Sequence, residues 1–238
     1  MNIALVGYGK MGKTIERIAI ERGHQIVLRI TSRNQQDLCS EQLQAADVVI
    51  EFTNPEAAFD NVSKCLKLGK PVICGSTGWQ DHLVQAQAIC MEHQTAFLQS
   101  SNFSIGVNLF FELNAVLAQL MNAYPEYQLS IEETHHTHKK DAPSGTAITL
   151  AERIIEQLAR KKSWTLAQPI DADQLSITAH RLDEVPGTHA VKYTSSIDDI
   201  ELIHTAHNRD GFALGAVVAA EFLKARKGIF TMKDVLGI

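Results

Sequence analysis

The chain has 238 residues, of which 45% are apolar and 21% charged, with 22 basic side chains against 27 acidic ones and a formal net charge of −5. At roughly 150 residues per domain that length allows one large α/β unit or two joined ones, and the ordinary balance of residue types excludes disorder and collagen-like repeats. The acidic average offers no general attraction for nucleic acid or for an anionic membrane, so neither is an expected partner and any basic site must be local.

The longest apolar stretches, such as residues 213–220, fall far short of the ~18 residues needed to span a bilayer. Met1 runs into Ile3, Ala4, Leu5 and Val6 without a basic segment or cleavage site, which reads as a cytoplasmic protein with no secretory leader. Cys39, Cys65, Cys74 and Cys90 match neither a zinc ribbon nor a redox CxxC pair, and are expected to be reduced, mostly packed thiols.

From residue 1 to about 103 short apolar segments alternate with amphipathic ones, as in a parallel sheet with covering helices. Strands are expected over 3–6, 25–30, 47–52, 71–74 and 95–98, and their near-continuous apolarity suggests burial on both faces. Helices are expected near 11–22 and 79–93. Between the third and fourth strands another is signed by Asn54 as cap, Pro55 in its first turn and Gly69 at its end. After Ser104 the rhythm changes. A helix over 107–121, a strand over 129–133 and a helix over 146–161 precede three strands, 174–181, 189–195 and 200–205, separated by turn signals at Pro186-Gly187 and Asp198-Asp199. An apolar helix over 212–224 then closes the pattern. The expected fold is α/β: a Rossmann-like dinucleotide-binding domain, 1–103 with 208–238, plus a central α+β domain with a mixed sheet, 104–207.

Gly7-Tyr8-Gly9-Lys10-Met11-Gly12 is G-x-G-x-x-G, placed directly after the first strand and opening the first helix. Gly7 suits the tight turn, Gly9 close approach to a pyrophosphate, and Gly12 helix–strand contact, with helix amides facing phosphate charge. The acidic residue that would bind the adenosine ribose hydroxyls at the end of the second strand is absent. Ser32 and Arg33 stand there instead, and Arg33 suits a 2′-phosphate, so NADPH is expected to bind at least as well as NADH. Phe52-Thr53-Asn54 and Gly75-Ser76-Thr77-Gly78 follow the third and fourth strands, where ligands of open parallel sheets sit; helix capping alone would also account for them.

Residues 133–146, Glu-Thr-His-His-Thr-His-Lys-Lys-Asp-Ala-Pro-Ser-Gly-Thr, are expected to form a loop between a strand and a helix. Ser144, Gly145 and Thr146 lie at the helix start, which favours an anion such as a carboxylate. With Lys139 nearby, the loop fits a small acidic substrate. A metal site at His135, His136 and His138 ranks low, because adjacent His side chains on an extended loop diverge and no carboxylate stands at a supporting spacing. General acid–base chemistry by the His and Lys side chains fits better.

The G-x-G-x-x-G start, Glu51-Phe52-Thr53, Gly75-Ser76-Thr77-Gly78, residues 101–108 (Ser-Asn-Phe-Ser-Ile-Gly-Val-Asn) and above all the His-His-Thr-His-Lys-Lys-Asp-Ala-Pro-Ser-Gly-Thr-Ala string from His135 resemble the dihydrodipicolinate reductase family. Val185-Pro186-Gly187-Thr188-His189, His207-Asn208-Arg209 and residues 232–236 continue the resemblance. It implies a two-domain homotetramer built through the central sheet, and nicotinamide-dependent reduction of the unsaturated heterocycle derived from 4-hydroxy-tetrahydrodipicolinate, giving tetrahydrodipicolinate in lysine and diaminopimelate synthesis. By matching positions it implies His135 as proton donor or acceptor, Lys139 as proton donor, His136 as substrate ligand, and Gly145 with Thr146 as holders of a substrate carboxylate. Gly75, Ser76 and Thr77, and Ser100, Ser101, Asn102 and Phe103, correspond to cofactor contacts, with NADPH or NADH as the cofactor and no metal. Ser32 departs from an acidic residue common in the family, the glycine loop is one residue shorter than in some members, and Ser100 and Ser101 replace small Ala.

Two other readings keep the glycine loop. A different two-domain Rossmann oxidoreductase leaves the His/Lys loop unexplained, and acyl-phosphate or thioester chemistry would need a nucleophilic Cys in the second domain, whereas all four Cys lie before residue 91. A nucleotide-sensing regulator would not need Lys139.

Overall fold

The computed structural model describes residues 1–166, 168 and 171–238. Contacts divide the chain into two compact units, Met1–Ile105 with Asp210–Ile238, and Gly106–Arg209.

In the first unit the elements run β1 (Asn2–Val6), α1 (Lys10–Glu21), β2 (Gln25–Ile30), the single turn α2 (Glu41–Gln44), β3 (Val48–Glu51), α3 (Pro55–Lys67), β4 (Val72–Cys74), α4 (Leu83–Glu92) and β5 (Ala96–Gln99). The second unit holds α5 (Ile105–Met121), which starts at the border, then β6 (Gln128–His135), α6 (Gly145–Gln157), β7 (Ser163–Thr165), β8 (Gln174–Arg181), β9 (Gly187–Thr194) and β10 (Asp199–Ala206). Returning to the first unit, the chain adds α7 (Asp210–Leu223), β11 (Gly228–Phe230) and α8 (Met232–Leu236).

The first sheet has the order β11-β5-β4-β3-β1-β2, and every pairing in it is parallel. Because side chains alternate along a strand, its two faces carry separate cores. Ala4, Val6, Val49, Val72 and Phe97 join Ala58, Val62 and Leu66 of α3 and Ala86 and Cys90 of α4. Ile3, Leu5, Ile50, Ile73 and Leu98 join Ile15 and Ala19 of α1 and Ala213, Ala216, Val217 and Ala220 of α7. The strands are thus buried from both sides by helices, which accounts for their unbroken apolarity. Asn54 caps α3 by accepting from the Ala57 amide at 2.9 Å, with Pro55 in the first turn, a cap of about 1 kcal/mol. Chain order reverses across β1: β2 lies on one side of it and β3 on the other. That switch point opens a crevice beyond the carboxyl ends of β1 and β3.

The second sheet is mixed, in the order β10-β9-β6-β8-β7; β6 is parallel to β8 and antiparallel to β9. Leu129 and Ile131 of β6, Leu175 and Ile177 of β8, and Val191 and Tyr193 of β9 pack against Phe110, Phe111 and Ala118 of α5 and Leu150, Ala151 and Ile154 of α6.

Several elements depart from the sequence expectation. Strand β6 runs on to His135, two residues past Glu133, so His135 is a strand-end residue and not part of the loop. Helix α6 stops at Gln157 because Leu158 turns extended, short of the expected residue 161. Strand β9 starts at Gly187, where the sequence predicts a turn. The short β7, β11 and α8 lie outside the sequence expectation; α8 is opened by a Thr231/Asp234 capping box.

Candidate active site

The first cluster lies at the switch point of the parallel sheet. Gly7 has φ +98°, and a Cβ there would lie 2.0 Å from the Phe52 carbonyl oxygen; one on Gly12 would lie 2.2 Å from the Gly7 carbonyl oxygen. Those two glycines let the turn, the β3 end and α1 touch. At Gly9 a Cβ would meet nothing within 4 Å, and no side chain caps α1 there. Bare backbone and a helix start therefore face open space, the form of a phosphate-binding turn. A cavity of about 350 Å³ adjoins it, lined by Gly7, Tyr8, Gly9, Ile30, Thr31, Ser32, Gln35, Phe52, Thr53, Asn54, Ala57 and Asn61. These residues fit a dinucleotide.

Of the expected cofactor residues, Gly7, Tyr8, Gly9, Ser32 and Phe52 line this cavity, while Lys10, Met11, Gly12 and Arg33 do not. Arg33 is exposed on a turn held by Asn34, whose Oδ1 accepts from the Thr31 amide and hydroxyl at 2.8 Å each. The carboxylate nearest in kind, Glu16 of α1, is taken by Arg29 and by the Tyr8 hydroxyl. Gly75, Ser76 and Thr77 lie outside the cavity lining. A Cβ at Gly75 would lie 2.2 Å from the Phe52 ring, and Ser76 Oγ accepts from the Thr53 amide at 2.8 Å. Ser100, Ser101, Asn102 and Phe103 follow β5, also outside that lining. Ser100 Oγ donates to the Asn102 carbonyl at 2.8 Å, and the buried Phe103 ring sits 5.7 Å from that of Phe52. Sequence reasoning gave no role to Glu51, a fully buried carboxylate that accepts from the Thr53 amide at 3.1 Å and the Cys74 thiol at 3.0 Å. Burial, then Glu51, push that thiol's pKa up.

The second cluster occupies the carboxyl end of β6, where the apolar row of the helix-covered face gives way to charge. Glu133 and His135 are two residues apart and both buried, so they share one face of the strand. Register places His189 of β9 opposite Glu133 and Arg181 of β8 beside His135. Glu133 Oε2 bonds His135 Nδ1, while Oε1 accepts from Arg181 at 2.9 Å and from the Ser144 amide at 3.1 Å. Burial works to raise the Glu133 pKa, but the bonds from His135 and Arg181 overcome it and hold the carboxyl at about 2. His189 shares a 3.1 Å hydrogen bond with Ser144 Oγ, and burial followed by the charge of His135 pushes its pKa down to about 4.

Ser144 caps α6 by accepting from the Ala147 amide at 3.2 Å, and beside it a Cβ on Gly145 would meet nothing within 4 Å. Thr146 is the next residue of the same first turn. His136 is half-buried with an Nδ1 that is enclosed without a partner. Burial, then Arg209 and His138, lower its pKa. Lys139 follows a turn closed by its amide on the His136 carbonyl at 3.1 Å, and its ammonium pairs with Asp141 at 2.9 Å.

The expectation that no carboxylate supports the His residues is corrected by Glu133, which period-two alternation along β6 could have revealed. Its second partner, His189, depends on strand register. Among the described residues Glu133, His135 and His189 form a group with the composition of a cation site. Arg181, His135 and Ser144 already engage both Glu133 oxygens, and a guanidinium bound to the same carboxylate opposes a cation there. The group is a hydrogen-bond network with His135 at its outer end.

Family models described as dihydrodipicolinate reductase, N-terminus, and dihydrodipicolinate reductase, C-terminus, match residues 1–103 and 106–236. A 4-hydroxy-tetrahydrodipicolinate reductase from Christiangramia forsetii is 53% identical over 237 residues, covering 99% of this chain and 98% of the relative. One from Methanopyrus kandleri is 39% identical over 201 residues, covering 80% of this chain and 71% of the relative. A dipicolinate-bound dihydrodipicolinate reductase from Paenisporosarcina sp. TG-14 shares the fold, with a TM-score of 0.77 at 23% identity and 97% of each chain covered.

Proposed function

The chain belongs to the dihydrodipicolinate reductase family, and from that premise we propose how its own residues carry the reaction. The activity is that of a 4-hydroxy-tetrahydrodipicolinate reductase, an oxidoreductase of lysine and diaminopimelate synthesis that uses a nicotinamide dinucleotide. When bound, the nicotinamide supplies a hydride to the unsaturated heterocycle.

The observation that carries the division of labour is the second cluster: an acid–base ring, an unpartnered imidazole nitrogen and a helix start at one end of one sheet. His135 gives a proton to the carbon framework as electron density builds there, and Lys139 is the second donor. The α6 amides at Gly145 and Thr146 hold one substrate carboxylate, and the enclosed Nδ1 of His136 finds its partner in substrate oxygen. Residues 1–103 with 208–238 hold the dinucleotide; the glycine turn meets its pyrophosphate, and Ser32 with Arg33 takes a 2′-phosphate, which favours NADPH without excluding NADH. The sheet-end residues Gly75, Ser76 and Thr77 and Ser100, Ser101, Asn102 and Phe103 face its nicotinamide half.

Residues 104–207 bind substrate and join subunits. Along α5 Leu109, Leu113, Val116 and Leu120 recur at helical spacing and remain exposed, Leu113 by 58% and Leu120 by 62%. A helix apolar all round is normally covered on both sides, which supports a homotetramer through this domain. Four free cysteines support a reducing, cytoplasmic location; among the described residues no helix is long and apolar enough to cross a membrane.

The test is consumption of NADPH and of NADH on adding freshly made 4-hydroxy-tetrahydrodipicolinate. Turnover with both, faster at limiting NADPH, is expected. Cofactor binding without turnover would instead indicate a nucleotide sensor.

A further inference from the structure

Glu133 is fully enclosed, yet its two oxygens serve three different elements. One meets His135 Nδ1 on its own strand. The other takes the Ser144 amide at the start of α6 and Arg181 of β8, and Arg181 also donates to the Asp141 carbonyl at 2.7 Å, in the loop that carries Lys139. A carboxylate paired with a guanidinium is ionised, and an ionised carboxylate only accepts. The proton shared with His135 therefore belongs to Nδ1, which leaves Nε2 as the atom that exchanges protons. A Cβ at position 187 would come within 2.9 Å of that Nε2, so glycine there leaves the edge uncrowded.

We propose that Glu133 is the positioning residue of this site: it fixes the orientation and tautomer of His135 and ties them, through the Ser144 amide, to the anion-binding start of α6. The inference rests on the reading of His135 as the proton donor. The groups that act on the ring are Glu133 on β6, Arg181 on β8, and His189 on β9 with ring centroids 5.1 Å apart; His136 and Lys139 follow in the loop, where their charges couple to the same cluster, and Asp141 neutralises Lys139. His189 in turn pairs in register with His204 of β10. With His189 neutral, the charge against His135 is the Glu133 carboxylate that accepts from its Nδ1.

Glu133→Gln keeps the shape and removes that charge. Its kcat should fall about tenfold or more, toward the ~10²–10⁴-fold that positioned acid–base groups supply. KM for NADPH should stay unchanged, and Glu133→Asp, which restores the carboxylate, should recover kcat. Nitrogen NMR of His135 in the unaltered protein needs no variant and should find Nδ1 protonated and Nε2 bare in the neutral ring. A Glu133→Gln enzyme with unaltered kcat, or a wild-type ring protonated at Nε2 alone, would overturn the proposal. His135→Ala assayed alongside separates the two readings: full turnover in that variant removes His135 as proton donor, whereas its loss with an unaffected Glu133→Gln removes only the positioning role.

Discussion

Where Gly7, Gly9 and Gly12 strip side chains away so that backbone borders a cavity, Glu133, His135 and His189 bury ionisable side chains against one another. As proposed, the first site works by steric absence and fixed amide dipoles, so it is sensitive to an atom added at Gly7 or Gly12 and insensitive to pH. The second works by charge placed in a medium that water does not screen, so it tolerates little change of charge and responds to protons. The parallel sheet offers its turn at the switch point, where backbone is available; the mixed sheet offers strand-end side chains on a face already enclosed by helices.

The contrast can be broken most forcefully at the second site. His135→Ala and Lys139→Ala should each lower kcat by about a hundredfold or more, while cofactor affinity, measured by fluorescence titration, stays as in the wild type. Loss of affinity with kcat intact would move both residues to binding. Gly7→Ala is the steric counterpart. Its methyl would meet the Phe52 carbonyl at 2.0 Å, and cofactor affinity should fall by tenfold or more, about 1.4 kcal/mol; unchanged affinity would show that the turn is not the phosphate site.

Acid separates the two sites through stability rather than through activity. An unfolded chain protonates His189 as pH falls through 6.5, whereas the folded protein resists until about 4. Stability conferred by the neutral buried ring is therefore complete above 6.5 and is lost as pH falls toward 4, on the order of 3 kcal/mol. Glu133 adds the same sign of dependence lower down, between 4.5 and about 2. Urea midpoints measured from neutrality down to about pH 5 should decline, and His189→Gln should flatten that decline; a midpoint independent of pH would contradict the neutral, buried state of His189. The smallest effect is expected at the exposed Arg33. Arg33→Ala should raise KM for NADPH a few-fold, about 1 kcal/mol for one exposed charged contact, and leave NADH unaffected, which would sharpen the assignment of that turn to the 2′-phosphate.

Strands whose apolar runs are bounded by turn residues were legible almost to the residue: β2 and β8 span the expected 25–30 and 174–181. Strand β11 was not, because its three residues, Gly228–Phe230, have no periodicity of their own and become a strand by pairing with β5. The same distinction separates the halves of the second site. His135, Lys139 and Ser144 announce themselves by clustering within ten positions. Glu133 carried a weaker signal, its two-residue offset from His135, which has meaning only if the strand continues that far. His189 carried none beyond its place in the family resemblance, since the register that sets it opposite Glu133 is a property of two strands 56 positions apart in that pair.

The sequence by itself determined what local chemistry can determine: a glycine turn between strand and helix, the cap of α3, the cationic loop and its serine-capped helix. These depend on residues within a few positions of one another, whose backbone preferences act wherever the chain goes. Only the tertiary structure decided that the cavity opens between β1 and β3, and that one carboxylate on β6 meets a guanidinium on β8, an imidazole beside it and an amide at the head of α6. Such contacts require long-range strand pairing and a face closed to water, and it is this enclosure that turns ordinary side chains into a coupled acid–base network.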